Sequence, residues 1–145
     1  MDPFIVVAGF VMVGVTLEIF FTSIVDFMRN KDVRLPGVSY LWMFPIYAVV
    51  PLFFILGLML FPGLSIFIRA LFYMLMFYLW EYISGYTIKK IVGKSPWDYS
   101  NHKIRIHRRN YSTNLHGLVC LEYAPIWYAY GIIGEYYFLF LMHIA

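Results

Sequence analysis

Residues 65–87 read SIFIRALFYMLMFYLWEYISGYT and are followed at once by Ile88, Lys89 and Lys90. About 20 predominantly apolar residues cross a bilayer as a helix, so this run is long enough to span. It nevertheless holds a glutamate, Glu81, well inside and an arginine, Arg69, near its start. A charge near the bilayer centre costs roughly 2.5–3.5 kcal/mol on insertion scales, so Glu81 is expected to face protein rather than lipid.

Working outward, apolar runs of similar length cover 3–27, 39–61 and 118–143. They predict an all-α membrane protein, a four-transmembrane-helix bundle forming a single domain over 1–145. Composition agrees, because 62% of the residues are hydrophobic and 13% charged, against about 25% charged in a soluble domain. The opening MDPFIVVAGF lacks the basic region of a secretory signal and reads as a retained first helix. With Cys120 as the only cysteine, no disulfide can form within the chain.

The basic residues set the expected orientation. Arg29, Lys31 and Arg34 follow the first span, and Lys89, Lys90, Lys94, Lys103, Arg105, Arg108 and Arg109 lie in the loop 88–117. In a four-span chain these loops share one face, which the positive-inside rule makes cytoplasmic, with both termini outside. Pro36-Gly37-Val38-Ser39 and Pro62-Gly63-Leu64-Ser65 read as turns whose serines cap the following helices.

An internal repeat is legible. Gly37, Leu41, Pro45, Ile46 and Tyr47 have the spacing of Gly117, Leu121, Pro125, Ile126 and Trp127, and the spans before them hold Glu18 and Glu81. Two duplicated helical hairpins of the same direction would be related by an axis along the membrane normal and would turn Glu18 and Glu81 toward each other.

At about 1.5 Å per residue, Glu18 lies roughly 14 Å, Glu81 roughly 10 Å and Glu122 roughly 6 Å from the cytoplasmic ends of their spans. Glu135, near the other face, is expected to reach water or head groups and to be secondary. Glu18 shares a helix face with Thr22 and Asp26, and Glu81 with Tyr78, Ser84 and Gly85. No span contains a lysine, and Arg69 is at the far end of its span. Three such carboxylates in low dielectric hold protons or bind a cation. As protonated acids they could equally tie helices together through hydrogen bonds. Trp80 and Tyr123, beside Glu81 and Glu122, are placed to line a pocket for an organic cation. Neither HExxH nor a repeated Glu-x-x-His pattern occurs, so the sequence gives no support for a di-metal site.

In the loop 88–117, Ser95 is expected to cap a short helix with Pro96 at its first position and Asp98 reaching back. Residues 102–107 alternate as an extended segment would, and Lys103, Arg105, Arg108 and Arg109 point to anionic lipid head groups as partner. The segment matches no nucleic-acid-binding module.

Several motifs together resemble the small bacterial membrane family described as ABC-transporter permeases of the CmpB type, whose vertebrate relatives are called transmembrane protein 229. They are Leu17-Glu18, Leu35-Pro36-Gly37, Phe44-Pro45-Ile46-Tyr47, Trp80 to Tyr86 (WEYISGY), Trp97-Asp98-Tyr99-Ser100, Asn114-Leu115-His116-Gly117 and Cys120-Leu121. The resemblance runs almost the whole chain and implies the fold and these special positions. It departs at 101–113, a longer, basic bridge than the family's, and Glu122-Tyr123 is closer to the vertebrate members. No nucleotide-binding motif is present, so the resemblance does not imply ATP-driven transport.

The expected function is therefore a small transporter or solute-binding membrane protein, working as a homo-oligomer, in which Glu18, Glu81 and Glu122 take a proton, a metal ion or a cationic small solute. One alternative is a lipid-active enzyme using Asp98 and a glutamate as acid and base. Its candidate nucleophiles Ser84, Ser100 and Cys120 lack a histidine at a persuasive spacing. The other is a noncatalytic scaffold or subunit. Reporters fused at both termini should read outside and reporters beside Lys31 and Lys103 inside; a cytoplasmic C-terminus would overturn the four-span topology.

Overall fold

The computed structural model describes residues 2–100, 103–106 and 109–144. Four helices dominate: α1 (Pro3–Asn30), α2 (Met43–Leu60), α3 (Ile66–Val92) and α4 (Ala124–Ile144). Among the described residues between α3 and α4 lie two short antiparallel ladders and a single 3₁₀ turn, Leu121–Tyr123. Strand β1 (Lys103–Ile106) pairs with β2 (Arg109–Ser112), and β3 (Asn114–Leu115) with β4 (Val119–Cys120).

Helices α1, α2 and α3 are long and apolar enough to cross a membrane. The chain is an integral membrane protein. Helix α4, at 21 residues, extends about 32 Å and matches the hydrocarbon thickness, although Tyr128, Tyr130, Glu135, Tyr136 and Tyr137 dilute its apolar character.

The helix ends follow local chemistry. The Asp2 carboxylate accepts the Phe4 N–H at 2.9 Å, and Pro3 occupies the first position of α1, where no N–H is needed. Lys31 and Gly93, both left-handed, close α1 and α3 by donating to the carbonyls of Phe27 and Lys89.

Several expected boundaries move because loop residues bond to helices instead of extending them. Helix α2 begins at Met43 rather than 39, since Thr22 Oγ1 bonds both the N–H and the carbonyl of Val38, and Ser23 donates to the Leu35 carbonyl. Ser39 caps no helix; its hydroxyl donates to Glu18. Ser65 does stand at the N-cap of α3, without a side-chain cap bond. Helix α4 begins at Ala124 rather than 118, because Val119 and Cys120 are paired in β4. No helix forms at 95–98. There the chain is extended, and the Tyr99 N–H donates to the Gly117 carbonyl.

The contacts divide the chain into two compact units. The first, Met1–Ile55 with Tyr137–Ala145, is centred on aromatic rings: Phe10 and Phe54 at 5.5 Å, Phe54 and Phe138 at 5.9 Å. The second, Leu56–Tyr136, is centred on fully buried Tyr73. A Cβ at Gly131 would come within 3.2 Å of both Ala70 Cα and Tyr73 Cβ, so this glycine lets α3 and α4 pack backbone to backbone.

Within the second unit, Arg69 Nε donates to Glu135 Oε2 at 2.8 Å, and Nη2 pairs with Oε1. The Tyr73 hydroxyl adds a third donor at 2.5 Å, and Arg69 Nη1 reaches the Leu64 carbonyl. Glu135 is 1% exposed, so the expectation that it reaches water or head groups is overturned. Arg69 and Tyr73, four residues apart, present their donors on the same face of α3, where a single carboxylate of α4 takes both. Removing one partner of such a pair strands a buried charge. Glu135→Ala should therefore lower stability in detergent by about 3–5 kcal/mol, whereas an Arg69→Met, Glu135→Leu double variant should recover most of it. Thermal unfolding of the three proteins checks this; equal loss in single and double variants would contradict it.

Candidate functional site around Glu81

Glu81 sits just past the middle of α3, where Trp80 to Gly85 meet the segments that precede α4. Its Oε1 accepts the Tyr99 hydroxyl at 3.0 Å. Its Oε2 and the Trp127 Nε1 are both buried without a well-aligned hydrogen bond, although the indole is near enough to act on that carboxylate as a donor. Among the described residues the site thus combines one charge-bearing acceptor and two neutral donors, with no cationic side chain bonded to the carboxylate.

Aromatic rings wall it. Trp127 lies between Phe77 and Tyr130, at 5.6 and 5.8 Å between centroids, and Tyr99 meets Tyr123 edge-on at 5.6 Å. The Tyr78 hydroxyl donates to the Leu121 carbonyl at 3.0 Å and anchors the turn before α4. Burial and the neighbouring Glu81 carboxyl push the Tyr99 phenol above its usual range, so it remains a proton donor.

Tyr99 reaches Glu81 because of the way residues 97–100 are held. Trp97 and Tyr99 are half-buried while Asp98 and Ser100 are exposed, as alternation in an extended segment requires. Trp97 Nε1 donates to the Leu118 carbonyl at 2.9 Å and Tyr99 N to the Gly117 carbonyl at 2.8 Å. Gly85 provides the seat, since a Cβ there would meet Trp97 Cζ2 at 3.0 Å. On the other side, Gly117 (φ 70°) follows His116 (φ 54°) in the tight connection of β3 and β4, stapled by Asn114 Oδ1 to the Gly117 N–H at 3.1 Å. The motifs singled out in the sequence, WEYISGY, WDYS and NLHG, therefore converge within one unit.

The other expected residues fall into distinct settings. Glu122 accepts Thr113 Oγ1 at 2.7 Å, and the same hydroxyl lies 3.9 Å from Cys120 Sγ. Trp80 gives its carbonyl to the Ser84 hydroxyl at 2.6 Å. Asp98 is not joined to Glu81; its Oδ1 accepts the N–H and hydroxyl of Ser100, which hold its carboxyl below the usual range. Glu18 belongs to the first unit, where its Oε2 accepts the Ser39 hydroxyl at 2.6 Å. Arg108 lies outside the described residues, and of Lys103, Arg105 and Arg109 only the backbone is described. His116 Nδ1 is 2.9 Å from the Tyr82 hydroxyl. Among the described residues, no group of three or more His, Cys, Asp or Glu side chains is gathered as a metal site.

Sequence reasoning chose Asp98 from the WDYS motif and overlooked Tyr99, its inward neighbour. It also missed Trp127, for which the position matching Tyr47 in the repeat was the available signal.

The sequence profile of the family described as putative ABC-transporter type IV matches residues 4–144. No solved structure matches the chain.

Gly117 tests the geometry directly. Its left-handed φ and the closeness of Ser100 Oγ and, at 2.8 Å, Asp98 Oδ1 to any added Cβ leave no room for alanine. Gly117→Ala should cost about 1–3 kcal/mol, read as a lower unfolding temperature. Wild-type stability would mean that residues 97–100 do not pack here.

Proposed function

The chain belongs to the putative ABC-transporter type IV family, and on that premise we propose that it is a four-span membrane transport protein whose intramembrane Glu81 takes up and releases a proton or a small cationic solute. One observation carries this reading: a buried carboxylate oxygen lacks a well-aligned donor, with no cationic side chain among the described residues bonded to either oxygen of that carboxylate. In low dielectric such an oxygen is satisfied by a proton or by a positive ligand. Trp127, Tyr99 and Tyr123 surround it with ring faces and edges suited to an organic cation. Trp80 and Glu122 belong to the same proposed site, and Lys103, Arg105, Arg108 and Arg109 are assigned to anionic head groups on the cytoplasmic side.

Glu18 is proposed as the counterpart of Glu81 in a duplicated hairpin. Each carboxylate accepts a hydroxyl from the connection that follows its helix, Ser39 for Glu18 and Tyr99 for Glu81. In both halves a glycine at the equivalent position allows close packing: Gly37 against the Ile19 carbonyl, Gly117 against Ser100 and Asp98. The duplication and the homo-oligomer are part of this proposal.

Glu81→Gln removes charge while keeping shape. If Glu81 binds a cation, purified wild type will be stabilised against heat by that cation, and the Gln variant will bind at least about tenfold more weakly, because a charge-assisted contact is lost. Binding to wild type will also weaken as pH falls, since protons compete for the same oxygens. Glu18→Gln is expected to act in the same direction. A screen of metal ions and organic cations at two pH values reads this; no pH-sensitive stabilisation of wild type, with unchanged cellular function in both variants, would leave the scaffold reading ahead.

A further inference from the structure

Resting on the Glu81 reading, we infer that residues 97–100 form a strap that covers the site, latched by the Tyr99 hydroxyl, and that opening of this strap is what admits a proton or cation to Glu81. The strap is fixed to its two neighbours in different ways. Toward the β3–β4 hairpin it makes two bonds to backbone carbonyls, Trp97 Nε1 to Leu118 and Tyr99 N to Gly117, whose strength does not depend on what occupies the site. Toward α3 the hydrogen bond that holds it is the one from Tyr99 to Glu81. Its other hold there is apolar, the Trp97 ring against Gly85.

A latch built on the functional carboxylate makes cover and site one device. While Glu81 is charged and empty, the Tyr99 bond is charge-assisted and strong. A cation on the carboxylate competes with Tyr99 for the same oxygens, and a neutralised carboxyl offers a weaker acceptor. In either case the strap loses its polar hold on α3 while the hairpin keeps its own shape. The exposed Asp98–Ser100 turn keeps the outer face of the strap rigid and soluble, so it can swing as one piece.

The chain carries its own reporter. Cys120 is its only cysteine, fully buried beneath this region, with Thr113 Oγ1 3.9 Å from its sulfur. Its alkylation by N-ethylmaleimide at fixed pH measures how often the cover opens and needs no knowledge of the solute. Tyr99→Phe, which deletes the latch but keeps the ring, should raise the alkylation rate about tenfold, the factor belonging to loss of one good hydrogen bond. Glu81→Gln should raise it in the same direction, and Tyr40→Phe, an exposed ring of the first unit, should leave it unchanged. Should Tyr99→Phe fold poorly, Trp97→Phe removes the bond to Leu118 and is expected to speed alkylation likewise. Wild-type rates in folded Tyr99→Phe and Trp97→Phe would overturn the strap. Faster alkylation without any cation binding by wild type would keep the strap and defeat the cation reading, so the two fail separately.

Discussion

Lipid provides neither donors nor acceptors, and every carboxylate carried into the helical part of this chain must find its partners inside the protein. Three different solutions appear. Glu135 is saturated, with two bonds from Arg69 and one from Tyr73. Glu18 takes a serine hydroxyl from the loop that follows its helix. Glu81 takes a tyrosine hydroxyl and keeps one oxygen without a well-aligned donor. The first arrangement is complete and holds α3 to α4; the last is incomplete, and the proposed uptake of a proton or cation rests on it.

The same constraint explains why the connections matter as much as the helices. To bring hydroxyls to Glu18 and Glu81, the chain after α1 and after α3 must fold back along the helix it has just left. Doing so lays backbone against a helix, where its N–H and carbonyl groups find protein partners. Thr22 and Ser23 supply those bonds to residues 35–38, and the β3–β4 hairpin supplies them to residues 97–99. Close approach then demands positions without side chains. Gly37 lies against the Ile19 carbonyl, and Gly85 and Gly117 lie against the segment 97–100.

The helices were legible because their signal is long and local: three runs of apolar residues with caps at Asp2, Lys31 and Gly93. Glu81 drew attention for the same reason, being the one acidic residue in an apolar run. The Arg69–Glu135 pair was not, because 66 residues separate its members and their meeting depends on how α3 and α4 pack at Ala70 and Gly131. The starts of α2 and α4 were misjudged because an apolar run is equally consistent with a helix and with a segment bonded to one. In WDYS the acidic residue drew attention on chemical grounds. Which of Asp98 and Tyr99 turns inward depends on Gly85 and Gly117, far away in sequence.

The packing also weighs the enzyme alternative. A lipid-active enzyme needs a free nucleophile or a poised base near the carboxylate. The Ser84 hydroxyl donates back to the Trp80 carbonyl within its own helix, a local satisfaction common for serine in helices. Ser100 is turned to Asp98 in an exposed turn, and Cys120 is fully buried in contact with Thr113. His116 is in hydrogen-bonding contact with Tyr82. Each candidate for attack thus has a structural partner other than Glu81, and the carboxylate itself is surrounded by neutral donors and aromatic rings. The Tyr99 donor supports the ionised carboxylate and the ring faces beside it suit a positive ligand, while the described candidates for attack are turned to other partners. The proposal of charge uptake at Glu81 therefore fits this packing better than attack by Ser84, Ser100 or Cys120.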